Sequence, residues 1–433
     1  MLLPLIASCL LAIGFSPAPD TLELTLDDAL RLALKQSPVR TEVSATQTQS
    51  RSALARGITN LVPSVSGSVG YSKSTSGSSL LPESLQTSGD WNCTGNLTVN
   101  QVVFDPSVFA GLATAISYSG YYASDARQQQ AKLVYDVTAD YLNLLKTHLL
   151  YDVADAALQR ACEDLKLVRE KHRLGSASDI DLMRSEVQQS QAEIDLLSAE
   201  SGVAVAAGSF QATVGLDDVH VIPVEQLSEP SGFMVNDPDS LIAEIERRNP
   251  GLALTARANT VANWRVAAAI GRVLPSVSAF WSSSYTGDSF PTSYDRWRDG
   301  DVTSYGLNAT FPLLDLKSYV LDIVDARAES RRAHAASRTA ALQLHASATA
   351  AVLEYEEAQK RHAYSTKNLE LNRKLSGLAR EQQRLGAISL LDFLTVEAAL
   401  TQAQAAHIDA LCDTYIQAAW INYLLGAERR EVE

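Results

Sequence analysis

The residues that could act as nucleophiles, bases or metal ligands are few and scattered in this chain. The histidines form no HExxH pattern and stand beside no cysteine or plausible nucleophile, and most fall in long helical stretches: His148, His172, His220, His334, His345, His362 and His407. The cysteines form no CxxC pair: Cys9, Cys93, Cys162 and Cys412. These spacings fit neither a disulfide framework nor a metal site.

Motifs of catalysis and nucleotide binding are also missing from the sequence. The segment SGSVG at 66–70 lacks the first glycine of a GxSxG nucleophile elbow, and no GxGxxG or P-loop occurs. The acid pairs Asp27-Asp28 and Asp217-Asp218 suit helix N-termini or a solvated surface. A net charge of −14 argues against nucleic acid as the partner. We therefore expect no enzyme, no metal and no cofactor.

Two copies of one pattern account for most of the 433 residues. The hexapeptide LVPSVS around Pro63 recurs as VLPSVS around Pro275, 212 residues later, and four further landmarks repeat at an offset of 211 or 212. We predict repeat 1 over 37–215 and repeat 2 over 249–426. A signal peptide (1–19) and an N-terminal helix (20–36) precede them, a linker and equatorial region (216–248) joins them, and a tail (427–433) follows.

Each repeat is predicted to contain the same elements in the same order. Pro63 and Pro275 mark helix-to-strand junctions, because proline ends a helix and is tolerated at the start of a strand. A helix of about 68 residues is roughly 100 Å long, so a hairpin of such helices has no globular core and must pack sideways. The predicted bounds are helix 38–60, strands 61–74 and 91–104, and helices 107–174 and 179–215, then helix 250–272, strands 273–286 and 301–311, and helices 316–385 and 389–426.

The four predicted strands have one apolar face and one face of small polar residues. Between the apolar positions stand almost only Ser, Thr, Asn and Gly, whereas a soluble sheet usually presents Lys and Glu. This alternation is typical of membrane β-barrels, although each strand alone would also suit a soluble hairpin. The loops 75–90 and 287–300 would be the hairpin tips on the extracellular side. The alternating apolar residues include Val65, Val69, Tyr71, Trp91, Leu97, Val99, Val277, Ala279, Trp281, Tyr285, Tyr305, Leu307 and Ala309.

Four strands are too few to close a barrel in one chain, and lipid does not tolerate open sheet edges. We therefore expect a ring of several protomers. The apolar N-terminus resembles an export signal, although no Lys or Arg precedes it. Residues 6–9 also resemble a lipobox, so lipidation of Cys9 stays an open alternative. No run of 18 apolar residues elsewhere could form a transmembrane helix.

Several segments, in their order along the chain, match the sequence pattern of one known family. They are LTLDDAL at 24–30, the junctions at Pro63 and Pro275, ADYLNLL at 139–145, and the two turns RLGSASDIDL and RLGAISLLDFL. Together they resemble the TolC-type outer membrane efflux proteins of Gram-negative bacteria. The resemblance implies a mainly α chain with a transmembrane β portion. Duplicated long αα-hairpins would form a helical barrel, and four strands per chain would complete a twelve-stranded β-barrel in a homotrimer.

The same resemblance implies a location, partners and site residues. The protein would sit in outer membrane lipid, extend into the periplasm, and work with a periplasmic adaptor and an inner-membrane pump of RND or ABC type. Asp392 matches an acid facing the pore at the narrowed periplasmic entrance, and Asp181 is its repeat partner. The family's next acid is Thr395 here, and the position of a locking arginine is Ile388. Two turns would dock the adaptor. Their residues are Arg173, Leu174, Gly175 and Ser176 in the first, and Arg384, Leu385, Gly386 and Ala387 in the second.

Other interpretations remain open at this stage. Asp392 also suits a helix N-terminus, where the dipole favours an acid, and the two turns could lack any partner. The exported substrate could be drugs, metal ions or, in a type I secretion system, a protein. A structural coiled-coil surface protein would explain the long helices but not the alternating strands.

Overall fold

The computed structural model describes residues 21–73, 91–217, 219–224, 237–287, 289, 293–299, 301–311 and 316–426. The predicted signal peptide, Cys9, the loop 75–90 and the C-terminal tail lie outside the described residues. The chain divides into two compact units, each drawn from both repeats. Unit 1 comprises Met1–Ser44, Arg127–Pro250 and Leu342–Glu433, and unit 2 comprises Ala45–Ala126 and Gly251–Ala341.

The elements follow the predicted order, with bounds that differ by a few residues. The two long helices contain 68 and 70 residues. The helices are α1 Leu26–Gln36, α2 Pro38–Thr59, α3 Pro106–Arg173, α4 Asp179–Val214, α5 Pro238–Arg248, α6 Pro250–Gly271, α7 Tyr294–Asp299, α8 Leu316–Leu385 and α9 Leu390–Leu424. The strands are β1 Thr21–Leu24, β2 Ser64–Lys73, β3 Trp91–Phe104, β4 His220–Pro223, β5 Ser276–Gly287 and β6 Asp301–Thr310.

Three segments differ from the sequence prediction. The region 20–36 is not one helix, because Thr21–Leu24 is a strand and Thr25 caps the helix that follows by accepting a hydrogen bond from the Asp28 amide at 3.2 Å. The linker 216–248 contains β4 and α5. The hairpin tip 287–300 contains the short helix α7.

In unit 1, β1 pairs in parallel with β4, and Leu24 and Val221 of these strands belong to one buried cluster with residues of the long helix of repeat 1. Tyr141 of α3 and Phe210 of α4 have no exposed surface and meet edge to face, with ring centroids 6.1 Å apart. The Tyr141 hydroxyl donates to the Leu24 carbonyl at 3.0 Å, so its buried polar atom is satisfied. Repeat 2 has a similar core in which α5 packs on α8 and α9 through Ile245, Tyr355 and Ile421.

Each repeat in unit 1 closes on itself where its last helix meets its first proline. Gly215 and Gly426 end α4 and the turn after α9 with φ of 83° and 63°. A Cβ on Gly215 would stand 3.0 Å from Pro38, and one on Gly426 would stand 2.9 Å from Pro250. Both the left-handed backbone and the close approach therefore require glycine. Pro38 and Gly215, and likewise Pro250 and Gly426, are landmarks of the sequence repeat that touch in the structure.

In unit 2 the strands form one antiparallel sheet in the order β2-β3-β5-β6. The register aligns the apolar residues of all four strands, because Val65 pairs with Val99, Val99 with Trp281, and Trp281 with Tyr305. Most of the Ser, Thr and Asn residues share the other face, which also carries Phe280 and Val302, whereas Ser283 and Thr303 lie on the apolar face. Pro63 and Pro275 each directly precede a strand, as predicted.

Among the described residues, none of the helices has a stretch both long and apolar enough to serve as a membrane span.

Candidate functional site

The two hairpin turns of unit 1 share one backbone design. In the first, the Ser176 amide donates to the Lys171 carbonyl at 2.8 Å and the Gly175 amide donates to the His172 carbonyl at 2.9 Å. In the second, the amides of Ala387 and Gly386 donate to the carbonyls of Gln382 and Gln383 at 2.8 and 3.3 Å. This is the Schellman pattern, which satisfies the last carbonyls of a helix.

The glycine at each turn is required by the backbone and not by crowding. Gly175 and Gly386 have φ of 76° and 68°, and a Cβ on either would have no neighbour within 4 Å. The leucine before each glycine is among the most exposed apolar residues, with 71% of Leu174 and 81% of Leu385 accessible. Each turn therefore presents a bare apolar side chain on a rigid loop.

The turn arginines are paired with acids of their own helices. Arg173 contacts Glu170 at 2.9 Å, and Arg384 contacts Glu381 at 3.4 Å. Both pairs are exposed and span three residues, so they contribute at most a few tenths of a kcal/mol.

The two candidate aperture acids lie in the first turns of the returning helices, and both are held by the serine that caps the helix. Asp181 accepts hydrogen bonds from the Ser178 hydroxyl at 2.8 Å and the Ser178 amide at 3.2 Å, completing a capping box. Asp392 accepts from the Ser389 hydroxyl at 2.7 Å. Hydrogen bonds from Ser178 hold the pKa of Asp181 below its ordinary value. The capping role of both acids is thus present in the single chain.

A buried ionic cluster links the two hairpins, a short distance along the helices from the turns. Glu397 of α9 accepts two hydrogen bonds from the Arg380 guanidinium of α8 at 2.7 and 3.0 Å, and one from the Ser376 hydroxyl at 2.5 Å. Arg160 of α3 approaches the same carboxylate at 3.4 Å. Arg380 lies six residues before Gly386, roughly 9 Å along the helix. Because the carboxylate is largely buried but Arg380 is about half exposed, loss of one arginine of this cluster would cost about 1–3 kcal/mol, less than in a fully buried pair.

The cluster contains a second acid in a less favourable position. Burial, followed by repulsion from Glu397, raises the pKa of Asp164 to about 6 in spite of the two arginines nearby. Burial acts in the same sense on Glu397, but the hydrogen bonds from Arg380 and Ser376 outweigh it, so the pKa of Glu397 is lowered. The cluster therefore keeps one carboxylate ionised and leaves the other able to take up a proton near pH 6.

This cluster is not predicted from the sequence, although the repeat offset contains part of its signal. Arg169 and Glu186 stand 211 residues before Arg380 and Glu397, and they too form an ion pair, at 3.3 Å. In repeat 1 both side chains are about half exposed, whereas in repeat 2 Glu397 is buried. A comparison of charged residues 211 positions apart would have revealed both Arg–Glu pairs. It would not have revealed Arg160, because the equivalent position in repeat 2 is a leucine.

The remaining reactive side chains form no site among the residues described. Cys93, Cys162 and Cys412 are free thiols, and burial raises the pKa of Cys412 to about 12. In that part of the chain, His, Cys, Asp and Glu residues nowhere gather in threes as a metal ion would require. His362 and His407 stack across the second hairpin with centroids 5.4 Å apart.

The raised pKa of Asp164 predicts a pH-dependent effect of removing its charge. Since the folded state binds this proton more tightly than the unfolded chain, ionised Asp164 destabilises the fold above about pH 6, and the cost disappears as the pH falls towards 4. Asp164→Asn should therefore raise the melting temperature at pH 7.5 and raise it much less at pH 4.5. Solvent screening keeps the gain at about 1 kcal/mol or less.

Thermal melting followed by circular dichroism at both pH values measures this effect. The matched control is Asp195→Asn, an exposed acid on α4, which should give the same small change at both. An equal shift of the Asp164→Asn variant at the two pH values would contradict the assignment.

Comparisons with known proteins agree with this architecture. Residues 241–427 match the family model described as outer membrane efflux protein. No curated protein matches the sequence significantly. Solved structures of similar fold include the CmeC outer membrane channel of Campylobacter jejuni (TM-score 0.80, 15% identity, 93% of this chain and 85% of that one). VceC of Vibrio cholerae is also similar (TM-score 0.78, 15% identity, 93% and 96%), as is the open state of the Neisseria gonorrhoeae MtrE channel (TM-score 0.75, 15%, 93% and 88%).

The sequence match covers repeat 2, and the structural match extends over repeat 1 as well. The resemblance of this chain to the outer membrane efflux protein family is thereby confirmed, by sequence in its second repeat and by fold over nearly its whole length.

Proposed function

We propose that this protein is the outer membrane channel-tunnel of a tripartite efflux system. As a homotrimer it conducts small molecules, drugs or metal ions, passively across the periplasm and the outer membrane. The energy comes from an inner-membrane pump, reached through a periplasmic adaptor. The chain itself supplies a passage and carries out no catalytic step.

The observation that carries this proposal is the four-stranded sheet of unit 2. Its register places apolar and aromatic side chains on one face and mainly Ser, Thr and Asn on the other, and most residues of β2, β3 and β6 are exposed whereas β5 is mostly half-buried. An apolar face beside lipid and a polar face beside water satisfy both environments. The outer strands β2 and β6 each pair on one side only within the described sheet. In lipid such edges must be paired, which other copies of the chain would do.

The helices of unit 1 support the same assembly. On α4 the exposed apolar residues Ile180, Met183, Val187, Ile194 and Leu197 follow spacings of three, four, seven and three, which is a heptad seam. On α8 another exposed seam contains Tyr364, Leu371, Leu378 and Leu385, seven residues apart. Two such seams on one chain favour packing between hairpins of neighbouring copies.

The proposal predicts a stable trimer that conducts ions. Native mass spectrometry in detergent should give three chains, and the same preparation should produce long-lived conductance steps in a planar bilayer. A variant with Val187→Glu and Leu197→Glu in the α4 seam should lose the trimer, while Glu193→Gln on the same helix should keep it. A stable monomer in the native protein, or a trimer that never conducts, would refute the proposed function.

The two turns are the proposed docking points for the adaptor, because each presents an exposed leucine on a rigid loop. Gly175→Trp or Gly386→Trp forces a side chain into a left-handed backbone and should abolish efflux, measured as resistance in cells, while the trimer still forms. Asparagine tolerates this conformation, so Gly175→Asn and Gly386→Asn are the matched controls and should retain most activity. Normal resistance in both Trp variants would exclude docking at the turns.

Asp392 is the proposed aperture acid. Three copies around a trimer axis would bring like charges together and attract cations. Asp392→Asn should reduce cation selectivity and block by multivalent cations in bilayer recordings, whereas Asp181→Asn, which also removes a capping acid, should change them less. If both properties survive in Asp392→Asn, the acid is a helix cap alone.

A further inference from the structure

The apolar face of the sheet is open along most of its length, but one patch is covered. In β3 the buried positions are Cys93 and Gly95, and in β5 they are Ser283 and Tyr285. The register makes these four residues neighbours at the hairpin-tip end of the apolar face. The element that lies over this patch is α7, which connects β5 to β6.

Trp297 of α7 is held against this patch by packing and by a hydrogen bond. A Cβ on Gly95 would stand 2.6 Å from the indole ring, so the ring occupies the space that the glycine leaves. The ring stacks on Tyr285 with centroids 5.7 Å apart. The indole Nε1 donates to the Ser283 hydroxyl at 2.9 Å, and Ser283 donates to Asp301 at 2.6 Å. Helix α7 thus packs back onto the apolar face through Trp297.

Other aromatic and charged residues mark the same end of the face. Tyr71 stacks on Trp91 with centroids 4.7 Å apart, and the Lys73 ammonium lies 5.9 Å from the Trp91 ring. Lys73, level with Trp91, and Asp301, level with Tyr285, add charges of both signs to this end of the sheet. Tyr and Trp, with an apolar body and a polar tip, favour the boundary between lipid and water, where charged groups also remain hydrated.

The length of the sheet agrees with such a boundary. At about 3.3 Å per residue, the 14 residues of β3 run roughly 43 Å, or about 33 Å along the membrane normal at the usual barrel tilt. At the opposite end Phe104 packs near Phe109, with centroids 6.4 Å apart. Aromatic residues therefore stand at both ends of a band comparable to the apolar belt of about 25 Å that membrane barrels carry.

We infer that α7 lies on the outer, lipid-facing side of the barrel, with Trp297 in the interfacial layer of the bilayer, so that the β5–β6 loop binds the membrane surface and does not cover the pore mouth. This inference rests on the proposed function, because it takes the apolar face to be the lipid face. The partner it names is the head-group and upper acyl region of the lipid. The hydrogen bond from Nε1 to Ser283 keeps the polar edge of the ring satisfied as the ring enters this layer.

Fluorescence quenching in the intact protein tests this placement. Two single-tryptophan variants are made by replacing the other tryptophans with phenylalanine, one retaining Trp297 and one retaining Trp281. Trp281 stands in the middle of the apolar face, opposite Val99 and Tyr305, and about 10 Å deeper at the usual tilt. Both are placed in nanodiscs of phosphatidylcholine brominated near the head group or near the acyl-chain end, and acrylamide serves as the aqueous quencher.

We expect Trp297 to be quenched by shallow bromines on the order of twofold more than by deep ones, and Trp281 to show the reverse. Gly95→Val in the Trp297 background should displace the ring and reduce its quenching by lipid, and Gly208→Ala on α4 is the control. If only acrylamide quenches Trp297 while lipid quenches Trp281, the loop faces water and the inference fails although the proposed function stands. If lipid quenches neither, the membrane-spanning sheet and the proposed function fail with it.

Discussion

A helix of 68 or 70 residues cannot bury a core by itself, and the rest of this structure depends on that constraint. All of its stabilising contacts must be lateral, so each long helix returns through a tight turn and packs on its partner. The turns at Gly175 and Gly386 share the same backbone hydrogen bonds, and in the first turn the Ser176 hydroxyl also donates to the Lys171 carbonyl at 2.9 Å. The apolar seams that remain exposed on α4 and α8 follow from the same constraint.

Features that repeat or alternate could be predicted from the sequence, because local chemistry determines them. Pro63 ends a helix wherever the chain goes next, and the alternation around Trp281 gives a strand with two unlike faces. Strand β1 could not be predicted, since its four residues pair with β4, almost two hundred positions later. The sequence also could not predict that α7 packs against Gly95 or that Arg160 contacts Glu397. Both depend on tertiary contacts that sequence periodicity does not encode.

The region of the turns shows how burial and partners together set the state of a carboxylate. Asp392 is exposed and Asp181 is partly exposed, and each is held by a capping serine. Glu397 is buried yet stays ionised because Arg380, Ser376 and Arg160 surround it. Asp164, close by, has the burial without those hydrogen bonds, and its pKa rises to about 6. Acids of one type on neighbouring helices therefore respond differently to a moderate fall in pH.

The ion pair that occurs at the same position in both repeats has a consequence for how the duplicated chain could diverge. The Arg169–Glu186 pair is exposed and can be lost with little effect on stability, so substitutions at these two positions are tolerated. Glu397, which pairs with Arg380, is also approached by Arg160 from the other repeat, so loss of either arginine leaves the buried carboxylate with one ionic partner fewer. Substitutions should therefore be tolerated less well in the second hairpin than in the first, and the sequence of the second hairpin should change more slowly.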